Sequence, residues 1–310
     1  MDHRLPILTP GHPGLTDLIG HTPLLPIAGL DGIREGIEVL GKAEWFNPGG
    51  SVKDRAAWGI VRAALERGTL APGGTLLDAT SGNTGIAYAW LGGALGFTVT
   101  LCLPANANAE RRRLLEALGA ELVLTDALEG TDGAMQVARR MVSEQPDRYF
   151  YADQYSNPAN WQAHYHGTAE ELWAQSEGLV THLVAGIGTS GTLVGSARRL
   201  RELAPGIEVV AVQPDSPMHA LEGLKHLPTA QAPAIYDPSV HQRTVEVESE
   251  AAVAMVKRQA RHGLLLGWSS GAALVAAERI AQGLDHGVVV AILPDGAERY
   301  LSEPLWQEER

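Results

Sequence analysis

The chain has 310 residues, 45% of them hydrophobic, and a formal net charge of −12, so it can bury a large core arranged as one large or two moderate domains. That charge argues against nucleic acid or an anionic membrane as partner, because either would need clustered Lys and Arg to neutralise phosphates; the short run Arg111-Arg112-Arg113 reads as the solvated face of a helix. A single cysteine, Cys102, excludes an internal disulfide and fits a reducing compartment, and with no apolar signal core and no membrane-length apolar run the expectation is a cytoplasmic protein.

In chain order, the first strong signal is Asn47-Pro48-Gly49-Gly50-Ser51-Val52-Lys53-Asp54-Arg55. The Pro-Gly-Gly run ends any preceding strand, and Ser51 with Asp54 three residues on reads as a capping box opening a helix through Ala56, Ile60 and Ala64. Lys53 then falls in the first helical turn, where the positive end of the helix dipole favours loss of its proton. It is the candidate catalytic residue.

From residue 75 onward short apolar runs alternate with helical patterns. Strands are expected at 75–78, 98–103, 121–124, 149–152, 182–185, 209–212 and 288–293, and helices at 85–93, 110–118, 161–173, 192–203 and 248–262. This alternation argues for an α/β protein with parallel sheets covered by helices on both faces and binding loops at the carboxyl ends of the strands. The least regular stretch, 214–240, reads as an active-site loop.

Three glycine-rich loops lead into helices. Thr80-Ser81-Gly82-Asn83-Thr84-Gly85 follows the 75–78 strand, and its amides and hydroxyls suit a carboxylate or a phosphate; a plain capped turn is the alternative. Gly186-Ile187-Gly188-Thr189-Ser190-Gly191-Thr192 matches GxGxxG. A dinucleotide site, however, calls for an acid closing the next strand, where Gln213 stands with Asp215 beyond it. The added hydroxyls of Thr189, Ser190 and Thr192 fit a single phosphate better. In Gly267-Trp268-Ser269-Ser270-Gly271, either serine reads alone as an N-cap.

A phosphate cradle together with a lysine poised to deprotonate fits pyridoxal phosphate, held as an imine at one end and by its phosphate at the other. The motifs NPGGSVKDR, TSGNTG, GIGTSGT, SSGAA and PDGAERYLS, in that order from IGHTPL at Ile19 to Ser302, resemble those of the cysteine synthases (O-acetylserine sulfhydrylases), fold type II pyridoxal phosphate enzymes. The resemblance implies two doubly wound parallel-sheet domains of the tryptophan synthase β type. A smaller mobile domain at 46–157 would bind the substrate carboxylate, and a larger domain of 1–45 and 158–310 would bind the cofactor phosphate. It implies that Lys53 carries the imine, that Gly188, Thr189, Ser190, Gly191 and Thr192 hold the phosphate, and that Asn83 meets the ring hydroxyl. Ser269 would meet the pyridine nitrogen, while Thr80, Ser81, Thr84 and Gln154 bind the amino acid carboxylate. It implies no metal.

The implied reaction is a β-replacement making L-cysteine from O-acetylserine or O-phosphoserine and a sulfide donor through an aminoacrylate, with Lys53 as base. Likeness implies a homodimer, and the tail of a serine acetyltransferase is a candidate partner. The stretch SPMHALEGLKHLP looks like the B-type enzymes, where basic residues sit in this loop, so Lys225 and His226 would contact an anionic donor, with a solvated lysine as the alternative. His21 stands where asparagine is commoner, and Trp268 either narrows the cofactor pocket or fills core volume. A minimal cystathionine β-synthase is the first alternative; the absence of a haem-binding extension or regulatory domain around the core points away from the full-length eukaryotic form. An NAD(P)-dependent oxidoreductase using GIGTSG and a catalytically silent binding protein are the others.

Overall fold

A computed structural model describes residues 14–80, 82–301, 303 and 306; Ser81 and Ser302 lie outside the described residues. The chain divides into two compact units, one made of residues up to Ile19 with Lys53–Asn160, the other of Gly20–Val52 with Trp161–Arg310. Lys53 is therefore the first residue of its unit after the chain leaves the other.

The second unit carries strands β1 (Leu24–Pro26), β2 (Ile37–Ala43), β7 (His182–Gly186), β8 (Glu208–Pro214), β9 (Arg243–Val247) and β10 (Gly287–Leu293). They form one sheet in the order β1-β2-β10-β7-β8-β9, parallel throughout except for β1, which runs antiparallel to β2. Its strands feed two cores by simple alternation. Val184, Val210, Val212, Val289 and Ala291 face one cluster with helix α9 (Trp268–Gln282) and helix α8 (Ser249–Arg261). Leu183, Ala185, Val209, Ala211, Val290 and Ile292 face the other, with helix α7 (Gly191–Leu203) and helix α6 (Ala169–Gln175).

In the first unit β3 (Thr75–Ala79), β4 (Thr98–Pro104), β5 (Glu121–Thr125) and β6 (Tyr149–Tyr151) make a fully parallel sheet in the order β5-β4-β3-β6. Helices α1 (Lys53–Arg67), α2 (Asn83–Leu95) and α3 (Ala109–Ala117) cover one face, where Leu76, Val99, Leu101 and Leu103 point. Helix α4 (Gly130–Glu144) covers the other with Leu77, Ala79 and Cys102. Helix α5 (Pro158–Ala163) leads out of this unit.

All seven expected strands are present, and both sheets are doubly wound. Three further strands appear, β1, β2 and β9. The helix expected over 161–173 is split, because a π-helical turn, His164–Thr168, separates α5 from α6. Across that turn α7 approaches so closely that a Cβ on Gly195 would overlap the Trp161 carbonyl.

Each sheet has one point where the strand order reverses, between β3 and β6 in one unit and between β7 and β10 in the other. Ligands bind outside the carboxyl ends of strands at such switch points. The TSGNTG loop leaves β3 and Gln154 follows β6, whereas the 186–192 loop leaves β7 and the Asp295 turn follows β10.

Candidate active site

Lys53 begins α1, so it does occupy the first helical turn. Ser51, two residues before α1, is fully buried in an antiparallel bridge with Asp295, and the Asp54 carboxylate accepts the Trp90 indole N–H at 3.2 Å. A sheet-like pairing also ties this segment to the 294–296 turn, with Val52 N–H donating to the Pro294 carbonyl at 2.8 Å.

In the first unit the β3–α2 loop and the segment after β6 come together. Gly82, not Thr or Ser, is the N-cap of α2, so the Thr84 hydroxyl is left for other work and donates to Gln154 Oε1 at 2.7 Å. Thr80 Oγ1 accepts the Gly82 N–H at 3.3 Å, and Gln154 Nε2 donates to the Ala79 carbonyl at 3.4 Å. Thr80, Thr84 and Gln154 are buried, and Asn83 is half-buried at the first position of α2. Ser81 belongs to this loop in sequence but lies outside the described residues.

In the second unit the β7–α7 loop is tightly packed. A Cβ on Gly188 would overlap the Gly223 carbonyl, and the Lys225 N–H donates to the Ile187 carbonyl at 2.7 Å, so the 223–225 strap lies directly on the loop and brings Lys225 beside it. Ser190 adopts φ 70°, the left-handed region that a serine rarely enters. It is the N-cap of α7 by position, yet its hydroxyl caps nothing; Ser190 is 2% exposed and its Oγ has no hydrogen-bond partner among the described residues. An orphaned buried hydroxyl at the start of a 13-residue helix, beside a glycine with no room for a side chain, is what a phosphate would complete. The residues present fit that group.

The dinucleotide alternative fails on the next strand. Gln213 near the end of β8 is buried and donates to Glu246 at 3.1 Å, and Asp215 lies past the strand end, so no acid closes β8 where a ribose would be read.

The serine pair is resolved by its bonds. Gly267 is the N-cap of α9, so neither serine caps the helix. Ser270 donates to the Asp295 carbonyl at 3.0 Å, while Ser269 is buried beside it in the first turn of α9. Trp268 fills core volume. It is 1% exposed, its indole N–H donates to Glu303 at 2.9 Å, and its ring lies 5.2 Å from Trp306 and 5.8 Å from Tyr300. His21 departs from asparagine at φ 50°, a conformation for which both residue types are enriched. His226 is held locally by Thr229 at 2.8 Å.

Two features were not legible in the motifs. A buried polar chain links Lys42, Thr22, Glu44 and Asn47 beneath the turn that leads to Lys53. Lys42 Nζ donates to Glu171 and to the Thr22 carbonyl, both at 2.6 Å, and Thr22 donates to Glu44 at 2.7 Å. The other is Asp78, a buried acid at the end of β3.

The family described as pyridoxal-phosphate dependent enzyme matches residues 15–295. This chain belongs to it. The chain is 46% identical over 299 residues to a cysteine synthase of Aquifex aeolicus, covering 94% of this chain and 91% of the relative. It is 39% identical to cysteine synthase B of Pseudomonas aeruginosa, covering 96% and 99%. A crystal structure of cysteine synthase from Entamoeba histolytica superposes with a TM-score of 0.91 at 34% identity, covering 100% of this chain and 95% of that one. Its cofactor is accordingly pyridoxal phosphate, and the expected fold type II architecture is the one observed.

Proposed function

We propose that this chain makes L-cysteine by β-replacement, from an activated serine and a sulfide donor. The observation that carries the reading is the orphaned Ser190 hydroxyl in the glycine cradle at the start of α7, in a chain whose relatives are named cysteine synthases. Lys53 Nζ would hold the cofactor at its aldehyde carbon. Bound pyridoxal phosphate supplies an electron-accepting ring that stabilises a carbanion at the substrate α-carbon.

The chain's residues do the rest. Gly188, Thr189, Ser190, Gly191 and Thr192 fix the phosphate, Asn83 the ring hydroxyl, and Ser269 the ring nitrogen. A neutral hydroxyl at the nitrogen disfavours storing the carbanion and suits elimination. Thr80, Ser81, Thr84 and Gln154 hold the α-carboxylate, keeping the α-proton in reach of Lys53. Lys53 takes that proton as general base, and the β-substituent leaves with its bonding electrons as acetate or phosphate. Sulfide then adds at the β-carbon and Lys53 returns the proton to the α-carbon. Lys225, on the strap over the 186–192 loop, is proposed to contact an anionic donor. The same reading makes the enzyme a cytoplasmic homodimer open to the tail of a serine acetyltransferase; no helix among the described residues is long and apolar enough to cross a membrane.

The test is to load the protein with pyridoxal phosphate and add O-acetylserine, O-phosphoserine or serine separately, recording the visible spectrum before and after sulfide or homocysteine. A spectral change with an activated serine that sulfide reverses with release of cysteine supports the proposal and names the donor. A response only to serine with homocysteine replaces it with cystathionine synthesis. A chromophore that survives Lys53→Ala and borohydride removes Lys53 from its role.

A further inference from the structure

Asp78 is 1% exposed and plays no part in the chemistry above. The groups facing it from the packed elements are Tyr88 on α2, Cys102 on β4, Tyr151 on β6, and Asp153 and Tyr155 on the loop that follows. None is a cation; Arg139 of α4 reaches Tyr151 instead, and Asp132 of α4 acts on Tyr155. Burial dominates and pushes the carboxyl up to about 7. An acid buried without a counter-charge is costly to the fold, and such strain is found where function needs it.

What Asp78 holds is the first unit's switch point. Its Oδ1 accepts the Ala79 N–H at 2.8 Å and its Oδ2 the Gln154 N–H at 3.4 Å. Gln154 is gripped from its other side by Asn160, whose Nδ2 donates to the Gln154 carbonyl at 2.8 Å. Ala79 leads directly into the Thr80–Thr84 loop. We propose that Asp78 is the positioning residue of the carboxylate subsite, clamping Gln154 and the Thr80–Thr84 loop to each other in the register that receives a substrate α-carboxylate. This rests on the reading of Thr84 and Gln154 given above. In Asp78→Asn one oxygen becomes a donor facing a donor, so one of the two N–H groups loses its acceptor.

The experiment uses the full chain loaded with pyridoxal phosphate and compares wild type, Asp78→Asn and Gln154→Ala. Asp78→Asn is expected to raise KM for O-acetylserine and Ki for propionate together by ~10-fold, with kcat changed less than ~2-fold and the cofactor spectrum unaltered. An unchanged KM and Ki in Asp78→Asn, with both raised in Gln154→Ala, overturns the Asp78 inference alone. An unchanged Gln154→Ala overturns the subsite itself. Wild type provides a readout independent of whether the Asn variant folds. Propionate keeps its charge between pH 6 and 8, so its Ki should rise as pH falls through about 7 and Asp78 gains a proton on an oxygen that accepts an N–H. A flat or opposite profile overturns the inference.

Discussion

Glu44 and Asn47 are locked to each other inside the fold, with Asn47 Nδ2 donating to both the Glu44 carbonyl at 2.8 Å and a Glu44 carboxylate oxygen at 3.0 Å. Asn47 Oδ1 also accepts the Gly20 N–H at 2.8 Å, and the Asn47 carbonyl accepts the Gly50 N–H at 2.8 Å. The turn before Lys53 is thus tied to the start of its unit through Asn47, and the Arg299 guanidinium donates to the Gly49 carbonyl within it. Asn47→Ala strips several buried partners at once and should lower unfolding free energy by roughly 2–4 kcal/mol. Glu44→Gln, which keeps the shape and an acceptor, should cost about 1 kcal/mol. Urea midpoints at constant m-value check both; equal losses would mean that the charge, not the bonds, matters.

Gly188 has the Gly223 carbonyl where its side chain would be. Backbone on both sides cannot swing away as a flexible side chain can. Gly188→Ala should therefore push the 223–225 strap off the loop at roughly 1–3 kcal/mol and weaken cofactor retention by at least ~10-fold, since the amides proposed to hold the phosphate move with it. Titrating resolved enzyme with pyridoxal phosphate measures this. Unchanged affinity would mean the strap and the phosphate site are independent.

If Ser190 holds the phosphate as proposed, it couples strain to binding. At φ 70° a non-glycine residue pays roughly 1–2 kcal/mol of backbone strain, which Ser190→Gly removes, offset in part by the looser unfolded chain. The cofactor-free variant should then be as stable as wild type or up to about 1 kcal/mol more stable, yet lose cofactor affinity with the hydroxyl. Melting the free and loaded forms side by side separates the two effects. A variant that loses stability in the free form would show that the Ser190 hydroxyl has a structural partner.

The extent to which sequence reveals this fold varies by element for physical reasons. Strands such as β7 and β10 are buried on both faces, so their apolar runs stand out. β2 reads as Ile37-Glu38-Val39-Leu40-Gly41-Lys42-Ala43, interrupted by a lysine that is buried only because Glu171, Gln175 and the Thr22 carbonyl surround it. β1 is three residues ending in proline, and β9 is a mostly exposed edge, so neither carries a burial pattern. Helix α4 opens with Gly130 and Gly133, which mask its period. The glycine loops were legible because a strand, a turn and a helix start follow one another in the chain. Asp78 was not, since a polar residue ending a strand looks the same whether or not distant tyrosines and Gln154 enclose it.

Asp78 also sets a pH dependence of stability. Burial raises its carboxyl from 3.8 to about 7, so between those values the folded state keeps a proton that the unfolded chain has lost. Its contribution is thus fully present below about 4 and is lost as pH rises through about 7. Three units correspond to roughly 4 kcal/mol as an upper bound. Asp78→Asn cannot titrate, so the stability of wild type minus that of Asp78→Asn should fall as pH is raised from 4 to 8, and the variant should be relatively best at pH 8, where its substrate binding is predicted to be poor. Denaturant unfolding of the two proteins across that range tests the link. A difference that stays constant with pH would show that Asp78 ionises normally, and one that grows with pH would show that its bonds to Ala79 and Gln154 outweigh burial.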